Sequence, residues 1–326
     1  MEEKNYIDNF LSLFEKSWLK FISDIQSNIN VQDSQLFSGN RLRPQLVFWG
    51  YYLGCEYDNH IFNVEELIEL AIPFEAIHKA SIIIDDIIDK DEYRKGKHSF
   101  HSQFGIDNSM LYSIMLLINS IKAIEKNEKI FINKENIMIS VISTMCSGAL
   151  IEINSNNNFQ SMDDTLAIIK SETVELIKRC FDYGFRLACK KRATANDMIE
   201  SIGENIGLIF QILNDAEPFF NPQYINMHKG TLNYDINKSG RKNYIVAFLY
   251  GLCSTDDLKK FDDISYDELV ELIIKYNLKE VIVKQIADKS DYIYNKIEQL
   301  KLKRTDIFRE YYEGLLQIAI NRALGE

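Results

Sequence analysis

The stretch from Glu75 to Gly105, EAIHKASIIIDDIIDKDEYRKGKHSFHSQFG, constrains this chain more than any other. No charge interrupts Ala80 to Ile84, so a helix there is buried. The same helix then sets Asp85, Asp86 and Asp89 within one turn of each other. At a helical period Ile82, Asp85 and Asp89 share one stripe and His78 lies two turns before Asp85, so Glu75, His78, Asp85 and Asp89 turn toward one cavity. Three carboxylates that close repel one another unless a cation sits among them, because burial and like charge both favour their neutral forms. Oxygen-only donors at this spacing suit Mg2+ or Mn2+, hard ions that take one or two carboxylates and leave their other positions to water or phosphate oxygens. Arg94, Lys95 and Lys97 follow, and a bound ion beside a basic patch is an arrangement for a diphosphate. An acidic helix end followed by basic residues is more often a solvated terminus. Here the acids interrupt an apolar face, which such a terminus does not do.

The segment made of Glu75, His78, Ser81, the DDIID of residues 85–89, Arg94, Lys95 and Gly96, then His101, Phe104 and Gly105, resembles the first aspartate-rich region of the trans-isoprenyl diphosphate synthases, the polyprenyl synthetase family. Weaker motifs extend the resemblance from residue 38 toward the C-terminus. It implies an all-α fold, a single-domain isoprenoid-synthase-type helical bundle over residues 1–326 around a deep central cavity. It further implies Mg2+, two or three ions, a prenyl diphosphate substrate and a homodimer.

Composition agrees with long helices. The 326 residues include only 4 Pro and 14 Gly, hydrophobic residues make up 46%, and no strand-and-helix alternation is visible. The balance of 37 basic against 48 acidic residues, a net −11, argues against nucleic acid as a partner. Cys55, Cys146, Cys180, Cys189 and Cys253 form no CxxC and lie at no zinc spacing, so they read as reduced thiols of a cytoplasmic protein. The acidic, amphipathic start is no signal peptide, and the apolar run Met110 to Ile118 is too short for stable membrane insertion.

Residues 4–29 read as an amphipathic helix with Ile7, Phe10, Leu11, Phe14, Trp18, Phe21 and Ile25 on one face. Arg41 and Arg43 precede an apolar helix opened by Pro44, where backbone amides already favour an anion. The family reads Gly-Lys-x-x-Arg-Pro at this place and holds the diphosphate of isopentenyl diphosphate with it. Arg43 matches the arginine, and Asn40 stands where the lysine belongs. Farther on, a Lys-Thr pair that serves the allylic diphosphate in the family is here Glu172 and Thr173, and Lys170 is about 200° around the helix from Glu172. Gly203 and Gly207, spaced i and i+4, allow a close helix contact. The second family motif keeps Phe210 and Gln211 but thins its acids to Asn214, Asp215 and Glu217, with Pro218 removing a ligand and ending regular hydrogen bonding. Residues 221–243 read as a lid whose Lys229, Arg241 and Lys242 suit an anionic substrate.

By this resemblance Asp85, Asp86, Asp89 and Arg94 carry the catalysis. Asp85 and Asp89, with Asn214 and Asp215, hold the metal, and Arg43, His78, Arg94, Lys95, Gln211, Lys229, Arg241 and Lys242 bind diphosphate. Ile77, Ala80, Ser81 and Phe210 line the pocket for the prenyl tail, and two small residues there leave depth for chains of C15 to C20 or longer. The losses at Asn40, Glu172 and Pro218 tilt the expectation toward a terpene synthase, which ionises an allylic diphosphate without isopentenyl diphosphate. A chain-elongating prenyltransferase is the second reading, and a regulatory subunit of a heteromeric synthase the third.

Overall fold

Helix-forming residues with few breakers become helices almost throughout. In the computed structural model, described over residues 4–25, 31, 35–37, 39–94, 96–125, 137–155, 161–189, 196–221, 243–261 and 264–325, the order begins α1 (Lys4–Asp24), α2 (Leu42–Tyr57) and α3 (Val64–Asp89). A two-stranded hairpin, β1 (Tyr93–Arg94) and β2 (Lys97–His98), leads into α4 (Phe100–Phe104), α5 (Ile106–Glu125) and α6 (Ile137–Asn154). Then come α7 (Met162–Ile169), a π-helical turn (Lys170–Val174), α8 (Glu175–Ala188) and α9 (Asn196–Phe220). The chain closes with α10 (Tyr244–Leu252), α11 (Thr255–Leu258), α12 (Tyr266–Lys275), α13 (Leu278–Gln299) and α14 (Thr305–Leu324). The fold is all-α, as the sequence predicts.

Two compact units divide the chain. One gathers Met1–Ser143, Leu176–Gly203 and Glu298–Phe308, and the other Thr144–Glu175, Glu204–Ile297 and Arg309–Glu326. In the first, α3 packs most extensively on α5 and also on α2 and α1, whose predicted apolar face buries Phe10, Phe14 and Trp18 completely. Glycine sets the spacing of α2 and α8. A Cβ on Gly50 would collide with the Phe181 carbonyl, and one on Gly184 with the Val47 carbonyl, so the two backbones touch where no side chain intervenes. In the second unit α7 packs on α10, and a Cβ on Gly207 would lie 3.1 Å from Val174 Cα. Gly203, in the first unit, is held as closely, with Lys178 Cα 2.9 Å from where its Cβ would be. Both glycines thus have the packing role their spacing implies.

One local feature adds to the sequence reading and one differs from it. Arg94 and Lys97, after α3, lie on a hairpin, because Lys90 adopts a left-handed conformation (φ 61°) that stops the helix and Gly96 (φ 75°) follows at the turn. Pro218 does not end α9, which runs to Phe220. In the last turn a proline forfeits only its own N–H bond, and Asn221 N still donates to Glu217 O at 3.0 Å. Among the described residues one helix, α6, is long and apolar enough by length and composition to cross a membrane, and only 22% of it is buried. None of the five cysteines is joined in a disulfide.

Candidate active site

In the first unit the end of α3 sorts its three carboxylates by helical angle. Asp85 and Asp89, one turn apart, are both exposed on one side. Asp86, about 100° away, is fully buried and accepts a hydrogen bond from Arg94 Nε at 2.6 Å. The hairpin that carries Arg94 back to α3 is closed by Ser99 N donating to Glu92 O at 2.9 Å. Burial works against the charge of Arg94, but Asp86, with Asp85 and Asp91, more than offsets this and keeps the guanidinium protonated. Asp86 therefore positions Arg94, while Asp85 and Asp89 supply the accessible oxygens.

Exposure at the end of a buried helix fits Asp85 and Asp89 for taking an ion from water, and two carboxylates leave the rest of an octahedral shell to water and diphosphate oxygens. Among the described residues no three His, Cys, Asp or Glu side chains converge as a closed cage for a metal ion. One to two turns earlier Ile77 and Ala80 are buried, whereas Ser81, its hydroxyl bonded to His78 O at 3.0 Å, and His78 itself are half-buried. Lys95 lies outside the described residues.

Arg41 and Arg43 part company at the start of α2. Arg41 takes the N-cap position in a left-handed conformation (φ 53°) and forks onto Glu15 at 2.7 and 3.1 Å while its Nη1 reaches Glu75 at 2.8 Å. It ties α1, α2 and α3 together. Arg43, in the first turn, is half-buried, and its Nε is buried with no hydrogen-bond partner among the described residues.

In the second unit the thinned motif is satisfied from within the protein. Asp215 Oδ1 accepts from Gln211 Nε2 at 2.9 Å, and Oδ2 accepts from Tyr244 N at 2.8 Å, at the start of α10. Burial pushes its carboxyl up to about 7 against the pull of these two donors. Asn214 Oδ1 accepts from Arg322 Nη2 at 3.0 Å, and Arg322 Nε lies 3.3 Å from Glu217. This donor set fits a cation less well than Asp85 and Asp89, since both oxygens of Asp215 are engaged and an arginine already stands at Asn214. Phe210 is buried beside it. Lys170 bridges Glu204 at 2.8 Å and so does not replace the lysine missing at Glu172. Lys229, Arg241 and Lys242 lie outside the described residues.

Two residues at these sites escape a motif reading: Arg322, 108 positions from Asn214, and Lys79, 4% exposed and 3.7 Å from Glu75. Only Lys79 leaves a trace in the sequence, as a lone cation in the apolar run Ala76–Ile84.

The helix α3 ends in two accessible carboxylates beside a fixed arginine, with further cations at the start of α2, a donor and charge set chemically suited to a metal-complexed diphosphate. A family model, polyprenyl synthetase, matches residues 30–270, and the chain belongs to that family. It is 25% identical over 290 residues to the short chain isoprenyl diphosphate synthase of Methanocaldococcus jannaschii, covering 85% of this chain and 83% of that one. It shares its fold with a polyprenyl synthase from Caulobacter crescentus complexed with calcium and isoprenyl diphosphate (TM-score 0.79, 19% identity, 97% of this chain and 98% of that one). The fold is likewise that of a geranylgeranyl pyrophosphate synthase from Corynebacterium glutamicum complexed with isoprenyl diphosphate and magnesium (TM-score 0.74, 18% identity, 98% and 97%). The protein is an enzyme acting on prenyl diphosphates.

Proposed function

We propose that this enzyme is a chain-elongating trans-prenyltransferase, a single catalytic domain that joins an allylic prenyl diphosphate to isopentenyl diphosphate. The observation that carries the reading is the similarity across 85% of the chain to a short chain isoprenyl diphosphate synthase. That reverses the order of the two enzyme readings drawn from the sequence, where the losses at Asn40, Glu172 and Pro218 weighed toward a terpene synthase. Arg43 and His78 are retained for a second diphosphate, which a terpene synthase has no need to bind.

In the proposed reaction the allylic C–O bond breaks, pyrophosphate departs, a new C–C bond forms to the isopentenyl double bond, and a proton leaves the isopentenyl unit. Asp85 and Asp89 are the residues that would hold Mg2+, which when bound would supply Lewis-acid stabilisation of the charge developing on the leaving diphosphate. Arg94, fixed by Asp86, adds positive charge at the same end of α3. In this reading the half-buried Ser81, small and one turn before Asp85, leaves room for a prenyl tail, with the apolar Ile77 and Ala80 buried on the same helix.

The proposal includes a homodimer. Ile106, Met110, Ile114 and Ile118 are exposed at four-residue spacing along α5, and Ile139, Leu150, Ile151 and Ile153 are exposed on α6, apolar faces that a second copy would cover.

Pyrophosphate release from farnesyl diphosphate and Mg2+ tests the central step. Release that accelerates when isopentenyl diphosphate is added supports elongation. Equally fast release without it returns the terpene-synthase reading, and inertness in both conditions points to the regulatory subunit.

A further inference from the structure

The second motif, near the end of α9, disagrees with the metal it is expected to hold. Of its three candidate donors, Asp215 gives both oxygens to Gln211 Nε2 and Tyr244 N, Asn214 Oδ1 accepts from Arg322 Nη2 at 3.0 Å, and Glu217 lies 3.3 Å from Arg322 Nε. Pro218 adds no side-chain donor. Mg2+ takes oxygens at about 2.1 Å in a near-octahedral array. An ion that close to Asn214 Oδ1 would lie within about 5 Å of Arg322 Nη2, and two cations so placed repel.

The turn that carries Arg322 is fixed on both sides. Asn221 Nδ2 donates to Arg322 O at 2.7 Å and Lys279 Nζ to Leu324 O at 3.0 Å, which satisfies two of the carbonyls left over at the end of α14. Ala323 and Leu324, next along the helix, are buried. The last turn of α9 is held in turn by Tyr266, whose hydroxyl donates to Pro218 O at 2.8 Å and whose ring stacks on Phe219. The guanidinium thus reaches the motif from a fixed frame of α9, α13 and α14, with its side chain 40% exposed and so open to a ligand from water. It brings a permanent positive charge and several directed donors, and it needs no cage of oxygens to hold it.

We propose that Arg322 takes the place of a metal ion at the second motif: no divalent ion binds at Asn214 and Asp215, Asp85 and Asp89 remain the ligands for Mg2+, and the guanidinium is the fixed positive charge near the end of α9. The inference rests on a prenyl diphosphate substrate and on the metal assignment to Asp85 and Asp89, and it is the same for elongation and for cyclisation.

The test counts Mn2+ bound per chain by equilibrium dialysis of the full-length protein in the presence of inorganic pyrophosphate, which stands in for the substrate diphosphate. Asp215→Asn is expected to keep the wild-type count, and Asp85→Ala combined with Asp89→Ala to abolish binding. Arg322→Gln combined with Asn214→Asp, which removes the resident cation and adds a carboxylate, is expected to raise the count by one. In steady state Arg322→Gln is expected to lower kcat for pyrophosphate release from farnesyl diphosphate tenfold or more and Arg322→Lys to hold it within threefold. The double variant is expected to recover most of the loss only at raised Mn2+, a rescue that a merely structural ion pair would not show. A count that falls in Asp215→Asn, a count that stays at the wild-type value in the double variant, or a wild-type kcat in Arg322→Gln would each overturn the proposal. Should the Arg322 variants fail to fold, Asp215→Asn decides alone: the same count supports the assignment and a lower one refutes it. Wild-type protein that binds no Mn2+ would bring down the assignment to Asp85 and Asp89, while an ion gained by the double variant would still support Arg322 as the resident cation.

Discussion

At the scale of single residues, one turn of helix divides the work among three aspartates. Asp85→Ala and Asp89→Ala are each expected to lower turnover on the order of 10²-fold or more while leaving the helical fold and melting temperature in place. Asp86→Ala is expected to do something different. It strands Arg94 beside a buried hole and should cost roughly 2–3 kcal/mol of stability, seen as a lowered melting temperature along with weaker diphosphate binding. Near-normal rates in Asp85→Ala or Asp89→Ala would remove the metal assignment. Because Ser81 is the half-open small residue one turn before Asp85, Ser81→Phe is expected to shorten the longest product with the fold intact; an unchanged product length would move the tail elsewhere. The stripe of Asp85 and Asp89 was legible because it depends only on the helical period. The pairing of Asp86 with Arg94 was not, since it requires the chain to reverse through a hairpin. Lys79 lies four positions from its partner Glu75 but 37 from Leu42 at the start of α2, and Arg322 lies 108 from Asn214, separations at which no periodicity operates.

At the scale of elements, the second motif illustrates how a candidate ligand can serve structure. Asp215 and Asn243 between them organise the start of α10: Asp215 accepts from Tyr244 N, and Asn243 accepts from Ile245 N and Val246 N while donating to Asp215 O. A carboxyl whose folded pKa is raised from its ordinary value to about 7 favours its neutral form in the fold. Its contribution is therefore complete below the unfolded pKa and is lost as pH rises through about 7. In metal-free protein the melting temperature of the wild type relative to Asp215→Asn is expected to fall steadily from about pH 5 to about pH 8. A difference independent of pH would show that Asp215 is not held as described. The sequence pattern identified the helix carrying this motif and the close contacts of Gly203 and Gly207. It gave no sign that Tyr244, 29 positions on, would claim one of the oxygens of Asp215.

At the scale of the whole molecule, helix class and order were readable because few prolines and glycines interrupt long apolar periods. The choice between cyclisation and elongation was not, because the charge losses at Asn40, Glu172 and Pro218 point one way and the similarity to an isoprenyl diphosphate synthase points the other. The exposed row on α5 predicts that Ile114→Lys shifts the protein toward a monomer in light-scattering chromatography, and a wild type that elutes as a monomer would contradict the dimer. The central claim, that one acidic helix end and one cationic helix start serve two diphosphates in a single condensation, is tested most directly by mass analysis of products. Purified enzyme with Mg2+ and geranyl, farnesyl or geranylgeranyl diphosphate is expected to yield longer prenyl diphosphates only when isopentenyl diphosphate is present. Hydrocarbons or alcohols formed in its absence, with no longer diphosphate in its presence, would contradict that claim.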